Sequence, residues 1–213
     1  MPGLLSAREI AAELADYNVR LSPAALAQLN CYLGLLLRWN RRINLTGIRE
    51  PRAILRRLFG ESLYLAGVVR VRGWLVDVGS GAGFPGLALK LAAPGLKVSL
   101  IEPRRRKGAF LKEVARRCGF SSVEVVAERF ESWVRGREGE ERAHLITTGA
   151  VAVTPDLLRA MAELLGREGR AVFLTTGKLA EKVKAREGGW GWEPVRSVPG
   201  NGGRVVLVGC PRN

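Results

Sequence analysis

The stretch Trp74-Leu-Val-Asp-Val-Gly-Ser-Gly-Ala-Gly-Phe-Pro-Gly86 decides the fold of this chain. Its apolar start predicts a buried parallel strand, and the glycines that follow predict a tight turn that lets the backbone approach a ligand. Pro85 suits the first turn of the next helix, where its missing N–H costs nothing. Because loops at the carboxyl ends of strands bind nucleotide-like cofactors in open α/β sheets, we expect a cofactor site here.

Two classes of cofactor fit this loop. Gly81, Gly83 and Gly86 satisfy the dinucleotide fingerprint G-x-G-x-x-G, which on its own is weak evidence. The longer pattern that begins at Asp77, Asp-Val-Gly-Ser-Gly-Ala-Gly, resembles the first motif of S-adenosylmethionine-dependent methyltransferases. A carboxylate at this position attracts the ammonium group of a methionine and repels a pyrophosphate. The sequence therefore favours S-adenosylmethionine over a nicotinamide dinucleotide, with a glycine-rich turn that binds nothing as the third alternative.

The composition indicates a folded chain without a disulfide framework. Its 213 residues, 47% of them hydrophobic, are enough for one domain, with or without a small cap. Cys31, Cys118 and Cys210 are far apart and odd in number, so we expect no disulfide framework, no metal site and a reducing, cytoplasmic setting. We see no signal-peptide pattern at the N-terminus, and the apolar run at residues 33–37 is too short to span a membrane.

The charge balance indicates an anionic partner. Lysine and arginine number 34 against 20 acidic residues, a net charge of +14, which is the electrostatic footprint expected for nucleic-acid binding. The charge is spread along the chain and not concentrated on one amphipathic helix, which argues against a membrane surface. A basic surface that serves only solubility, or a lineage rich in arginine, is the alternative.

Residues 1–70 predict a helical cap. Ser6 and Glu9 have the spacing of a capping box, Ser22-Pro23 predicts a second helix start, and Pro51 opens a further helix. The second helix carries an apolar stripe whose default meaning is core packing. The stripe comprises Leu26, Leu29, Leu33, Leu36 and Leu37.

Residues 71–213 alternate between strands and helices, which predicts an α/β fold with a mostly parallel, Rossmann-like sheet. We expect the cap to pack on this sheet, so that both form one compact unit. Trp190, Trp192 and a turn at residues 199–203 lead into Val205–Val208, which predicts an antiparallel edge hairpin. The other predicted strands are Trp74–Val78, Lys97–Ile101, Val123–Ala127, Leu145–Thr148 and Ala171–Thr175. The predicted helices are Gly86–Ala92, Arg106–Arg117, Phe130–Val134 and Thr154–Leu165.

Further candidates lie where the second and third strands end. Glu102 ends the second strand, where a carboxylate accepts hydrogen bonds from ribose hydroxyls in methyltransferases and dehydrogenases alike. Phe130 and Glu131 follow the third strand, the right place to bracket an adenine ring. For Phe130, the buried face of the next helix is an equal alternative.

Two concentrations of basic residues are candidate contacts to RNA. Pro103-Arg-Arg-Arg-Lys107 begins a helix, where cations oppose the helix dipole, and this makes phosphate a plausible partner. A solvated charged face is the alternative, and Trp39 in the cap fits either an RNA-facing surface or the core. The second concentration, around Trp39, comprises Arg38, Arg41, Arg42, Arg49, Arg52, Arg56 and Arg57.

Together these residues resemble the RsmG family, also called GidB, of bacterial methyltransferases that act on small-subunit ribosomal RNA. Residues 37–46, Leu-Arg-Trp-Asn-Arg-Arg-Ile-Asn-Leu-Thr, are similar to the family's L-x-K-W-N-x-x-x-N-L-T. Residues 77–86 are similar to D-x-G-T/S-G-x-G-x-P-G, whose proline and last glycine make the motif more specific than a general methyltransferase loop. Gly177-Lys178 and Glu181 resemble a late region of the family. The resemblance covers nearly the whole chain.

The resemblance implies S-adenosylmethionine as the methyl donor and guanine N7 of ribosomal RNA, free or in the small subunit, as the acceptor. Because guanine N7 carries a lone pair and no proton, we expect positioning to suffice, with no catalytic side chain and no metal. We expect a monomer and no membrane partner. The candidate cofactor site comprises Asp77, Gly79, Ser80, Gly81, Gly83, Phe84, Glu102, Phe130 and Glu131.

Three positions on the acceptor side depart from the family pattern. Leu58 stands where the family has a histidine, and Thr176 replaces a late lysine. Gly149, in Thr148-Gly149-Ala150, stands where the family's Ser-Arg-Ala has its arginine. These departures leave open a second hypothesis, a catalytically impaired member of the same fold that still binds RNA.

Overall fold

The structure is a computed structural model that describes residues 4–137, 141–149, 151–186, 188–200 and 203–212. Ala150 and two residues of the predicted turn, 201 and 202, lie outside the described residues.

The cap is helical, as the sequence predicts. Ser6 accepts a hydrogen bond from the Glu9 amide, and the Glu9 carboxylate accepts one from the Ser6 amide, which confirms the capping box. Ser22 caps the second helix, with Pro23 at its first position. The cap comprises α1 (Ala7–Leu14), a 3₁₀ turn (Ala15–Tyr17), α2 (Pro23–Asn40), α3 (Pro51–Ile54), a π-helical segment (Leu55–Gly60) and α4 (Glu61–Val68).

The rest of the described chain forms an eight-stranded sheet with helices on both faces. Its order is β3-β2-β1-β4-β5-β8-β6, with β7 paired to β8. β1 to β5 are mutually parallel, whereas β8 runs antiparallel to β5, β6 and β7. The strands are β1 (Trp74–Val78), β2 (Lys97–Ile101), β3 (Val123–Val126), β4 (Ala143–Thr148), β5 (Leu165–Thr176), β6 (Trp190–Trp192), β7 (Arg196–Ser197) and β8 (Arg204–Pro211).

The helices of this part are α5 (Gly86–Ala92), α6 (Arg105–Arg117), α7 (Phe130–Arg135), α8 (Pro155–Leu164) and α9 (Gly177–Lys184). The largest difference from the predicted bounds is in β5, which begins six residues earlier, at Leu165, than the predicted Ala171. Its first half is rich in glycine and charge and pairs with β4 through an irregular register, so no alternation of apolar residues marks it. Thr154 caps α8 and does not begin it.

The core has two layers, one on each face of the sheet. Leu75 of β1 packs in the layer that also holds cap residues such as Leu29 and Phe59. Its neighbours Trp74 and Val76 pack in the other layer, with α7, α8 and α9. The cap and the sheet share one hydrophobic core, so packing does not mark a boundary between them. The division of the chain at residues 70/71 stays a prediction. Among the described residues, no helix combines the length and the apolar character needed to cross a lipid bilayer.

Candidate active site

The glycine loop follows β1 directly and rests on the end of β2. The amides of Gly79 and Ser80 both donate to the carbonyl of Ile101, over 2.9 and 3.1 Å. Gly79, Gly81 and Gly83 have φ angles of +68°, +57° and +93°, a region that residues with a side chain rarely adopt. The loop therefore needs its glycines for backbone conformation, as the sequence predicts.

The space beside each glycine differs, and only one of the four opens outward. A Cβ at Gly79 would lie 2.2 Å from Val151 Cγ2, and a Cβ at Gly83 would lie 2.3 Å from the Tyr32 hydroxyl. A Cβ at Gly86 would lie 2.8 Å from Asp77 Cβ, so this glycine lets α5 approach β1. At Gly81 the nearest atoms are the Gly79 carbonyl at 3.7 Å and Lys107 Nζ at 3.9 Å. Gly81 is thus the position where a ligand can approach the loop backbone.

Asp77 lies beneath the loop and is completely buried. Its Oδ1 accepts a hydrogen bond of 2.7 Å from the Thr147 hydroxyl on β4, while Oδ2 has no hydrogen-bond partner among the described residues. The pKa of this carboxyl is raised to about 6, chiefly by burial and to a smaller extent by nearby Glu102, against the opposing effect of its hydrogen bonds. The protein keeps a costly buried acid at the point where β1 enters the loop.

Glu102 joins the ends of β1 and β2. Its Oε2 accepts a hydrogen bond from the Gly81 amide and its Oε1 accepts one from the Arg104 amide, both over 2.9 Å. Ser80 is buried, and its hydroxyl donates to the Asp77 carbonyl over 2.8 Å. The structure therefore brings together Asp77, Gly79, Ser80, Gly81 and Glu102 in one hydrogen-bonded unit.

Phe84 belongs to an aromatic cluster between the loop and the cap. Its ring stacks on Tyr32 with centroids 5.4 Å apart and meets Phe59 edge-on at 4.9 Å. The Tyr32 hydroxyl donates a short hydrogen bond to the Ala82 carbonyl. The cap therefore holds the glycine loop from one side through Tyr32. The sequence did not predict this role for Tyr32.

Phe130 and Glu131 lie elsewhere. The Phe130 side chain is 3% exposed and packs against Trp133, so it belongs to the core, the alternative that the sequence left open. Glu131 lines a polar depression between α7 and α8 together with Arg129 and Arg159. No hydrogen bond or ring contact within the described ranges joins either residue to the glycine loop, and their part in a cofactor site stays a prediction.

A second concavity, with a volume of about 370 Å³, lies at the carboxyl ends of β4 and β5 and beneath α9. Most of its lining is apolar, contributed by residues such as Val151, Phe173 and Leu179. Thr148 also lines it, and the hydroxyl of this residue is buried and has no partner among the described residues. Its cations are Lys182, Arg186 and Arg204. The cavity can hold a flat, weakly polar group and can place anionic neighbours of that group near three cations.

Arg204 ties this cavity to the cap. Its guanidinium lies 3.2 Å from the buried Glu61 carboxylate of α4 and donates to the Leu174 carbonyl over 3.2 Å. This ion pair joins helix α4 of the cap to strand β8 of the sheet. Glu61 is only 3% exposed, so its end of the pair is shielded from solvent. Sequence reasoning missed the pair, since nothing local connects two residues 143 positions apart.

The three departures from the family pattern fall at different places. Gly149 lies beside the loop, because a Cβ there would be 3.8 Å from the Phe84 carbonyl oxygen and 3.9 Å from Pro85 Cδ. Leu58 is half-buried against the cap core, and Thr176 is exposed at the start of α9. Only Gly149 of these borders both the loop and the cavity.

Basic residues of both concentrations meet in a cleft of about 540 Å³. Arg38, Arg41 and Arg42 from the cap face Arg106 from the start of α6. Trp39 forms part of the cleft, yet its indole N–H donates to Glu113 over 2.9 Å and its ring packs on Phe110. Trp39 therefore packs against α6, as the core alternative predicts, and also lines the cleft, while its contact with RNA stays a prediction.

Two of the cysteines that lie far apart in the sequence are in contact. Cys31 of α2 and Cys118 at the end of α6 have their sulfur atoms 2.7 Å apart. The structure records both as free thiols, as it does Cys210.

Comparisons with known proteins show which family the chain resembles. The GidB family, described as rRNA small subunit methyltransferase G, matches residues 25–197. Ribosomal RNA small subunit methyltransferase G of Chloroflexus aggregans is 39% identical over 160 residues, which is 72% of this chain and 65% of that protein. The Dehalococcoides mccartyi protein of that name (strain CBDB1) is 33% identical over 202 residues, covering 94% and 82%. A solved structure of MtNAS with S-adenosylmethionine has a TM-score of 0.61 at 16% identity, covering 89% of this chain and 78% of that one, a likeness of fold alone.

Proposed function

This chain belongs to the GidB family of small-subunit rRNA methyltransferases, and from that premise we propose that it methylates small-subunit ribosomal RNA with S-adenosylmethionine as donor. The observation that carries the proposal is the glycine loop, where Gly81 leaves open space directly beside the Glu102 carboxylate. A nicotinamide dinucleotide fits less well, because a buried acid lies beneath the loop where a pyrophosphate would bind.

The residues around Gly81 fit the donor. The Glu102 oxygens each accept one backbone hydrogen bond and keep a lone pair for a ribose hydroxyl. Asp77, when ionised, provides a negative field that favours the ammonium group of a methionine. When bound, the donor supplies an activated methyl group on a sulfonium. Tyr32 and Glu102 hold the loop from both sides, so that its shape is set before binding.

We propose guanine N7 as the acceptor atom and the cavity under α9 as its place. An atom with a lone pair and no proton has to be positioned, not deprotonated, and a lining of apolar groups and cations suits that task. The apolar walls exclude water, and the buried Thr148 hydroxyl is available to a polar edge of the base. Lys182 and Arg186 in the lining are the proposed contacts to phosphates that flank the base, since the Arg204 guanidinium is already paired with Glu61.

The cleft around Arg38, Arg41 and Arg106 is the proposed contact for more distant RNA phosphates. Binding through such contacts weakens steeply with salt, because each neutralised phosphate releases a counterion. We further propose that the protein works as a cytoplasmic monomer. In support, the large hydrophobic side chains that are exposed within the described ranges are Leu4 and Leu179, which do not form a subunit-sized patch.

The test is transfer of a labelled methyl group from S-adenosylmethionine to small-subunit rRNA, followed by nuclease digestion and mass spectrometry. We expect 7-methylguanosine in the digest. A different methylated nucleoside would refute the N7 assignment. Donor binding and salt-sensitive RNA binding without any transfer would favour the impaired, RNA-binding alternative that Gly149 motivates. Binding of NAD in place of the methyl donor would overturn the proposal as a whole.

A further inference from the structure

Cys31 and Cys118 lie close enough together to form a disulfide bond. They are 87 residues apart in sequence, and their sulfur atoms are 2.7 Å apart. A disulfide bond is about 2.05 Å long, so the sulfurs need to approach by only about 0.7 Å. The two sulfur atoms are therefore close to bonding distance.

Neighbouring contacts hold the two cysteines in register. On one side, Gln28 of α2 donates a hydrogen bond of 3.2 Å to the Gly119 carbonyl, one residue beyond Cys118. Farther along α2, the Trp39 indole donates to Glu113 of α6. Helix α2 is thus fastened to α6 at points on both sides of the cysteine pair, which keeps the sulfurs together in the reduced protein.

We propose that Cys31 and Cys118 are a redox modification site, at which a reversible disulfide forms by exchange with a low-mass disulfide such as oxidised glutathione. Cys31 is partly exposed and meets the reagent first, whereas burial, and then the nearby Cys31 thiol, raise the pKa of Cys118 and keep it protonated. The Cys31 thiolate attacks one glutathione sulfur, forms a mixed disulfide and releases one glutathione. The Cys118 sulfur then loses its proton, attacks the Cys31 sulfur and releases the second glutathione. Two protein thiols are oxidised and one glutathione disulfide is reduced.

The bond would close a loop that contains the entire glycine loop and Glu102. Cys31 is followed directly by Tyr32, whose hydroxyl holds the Ala82 carbonyl. Oxidation therefore fastens the helix that supports the loop, and we expect the oxidised protein to retain its donor site. This last point rests on the proposed function, whereas disulfide formation does not.

The experiment equilibrates the purified full-length protein in glutathione buffers of graded redox ratio, alkylates the free thiols and identifies them by mass spectrometry. We expect Cys31 and Cys118 to lose alkylation together while Cys210 stays alkylated. The oxidised form should melt roughly 5–10 °C higher than the reduced form, since the bond restricts a long loop in the unfolded chain. Full alkylation of all three cysteines in the most oxidising buffer overturns the proposal.

Matched variants make the assignment specific. Cys210→Ser should leave the redox transition and the rise in melting temperature unchanged. Cys31→Ser should abolish both and leave two alkylated cysteines. A transition that persists in Cys31→Ser contradicts the pairing. Titration of both redox forms with the donor separates the two proposals. If the disulfide forms but the protein binds no donor, only the proposed function is refuted. If the disulfide forms and weakens donor binding tenfold, only the supporting role of the bond is refuted.

Discussion

Asn in place of Asp77 should make the protein more stable at neutral pH. The carboxyl is fully buried, and burial raises its pKa from the ordinary value of 3.8 to about 6. At 1.36 kcal/mol per pKa unit, that difference is worth about 3 kcal/mol. Between about pH 4 and pH 6 the folded protein holds a proton that the unfolded chain has released, so the carboxyl costs the folded state progressively more as the pH rises.

Asp77→Asn removes this cost, because an amide stays neutral at every pH and its oxygen can still accept the Thr147 hydroxyl. We expect equal stabilities near pH 3.5 and an advantage of up to about 3 kcal/mol for the variant above pH 6.5. For a chain of this length the advantage corresponds to a melting temperature roughly 6–12 °C higher. Donor affinity should fall at the same time, since the negative charge beneath the loop is gone.

Urea unfolding between pH 3.5 and pH 8, followed by tryptophan fluorescence, measures the difference. Asp156→Asn is the matched control, because the Asp156 side chain is 74% exposed at the start of α8 and the same substitution there removes no buried charge. Parallel stability profiles for wild type and Asp77→Asn would refute the reasoning, since they would mean that Asp77 titrates alike in the folded and unfolded chains.

Three further substitutions test the loop and its support. Gly81→Val should abolish donor binding in calorimetry, because the valine side chain enters the open space beside the loop and valine cannot adopt a φ of +57° without strain. Unchanged affinity in a folded variant would contradict our placement of the site. Tyr32→Phe keeps the ring but leaves the Ala82 carbonyl without its donor, so it should cost about 1–3 kcal/mol in chemical denaturation and weaken donor binding; no loss of stability would show that the hydrogen bond contributes nothing. Gly34→Ala should stabilise α2 by about 1 kcal/mol, since nothing lies within 4 Å of the added methyl group; a lower melting temperature would refute this.

The features that sequence predicted best are those whose causes are local. The Ser6–Glu9 capping box and the Ser22-Pro23 helix start depend on residues within one turn of each other, and both are present. The glycine loop was predictable for a similar reason, because a positive φ is a local property that glycine adopts readily and residues with a side chain rarely do. Glu102 also followed from position, since the carboxyl ends of neighbouring parallel strands meet at one edge of the sheet.

The features that sequence did not predict depend on which elements become neighbours. Thr147 lies opposite Asp77 because β4 pairs with β1 in this register, and one sequence does not reveal that pairing. Tyr32 lies on α2 beside the predicted apolar stripe and was not one of its predicted members, and its hydroxyl bond to the Ala82 carbonyl requires the cap to sit on the loop. The sequence could not assign Phe130 for a different reason, since an aromatic ring after a strand suits both a contact to adenine and the core. In the structure the Phe130 side chain is buried in the core.

The position of α2 also determines when the protein can complete its fold during synthesis. The apolar face of α2 is covered by α5 and α6, and Cys118 marks the end of the second of these helices. A ribosome that adds about 5–20 residues per second makes the segment from Asn40 to Cys118 in roughly 4–16 s. For that time the α2 leucines lack the cover that α6 provides, and a chain that stalls before Arg105 leaves that part of the helix accessible to chaperones.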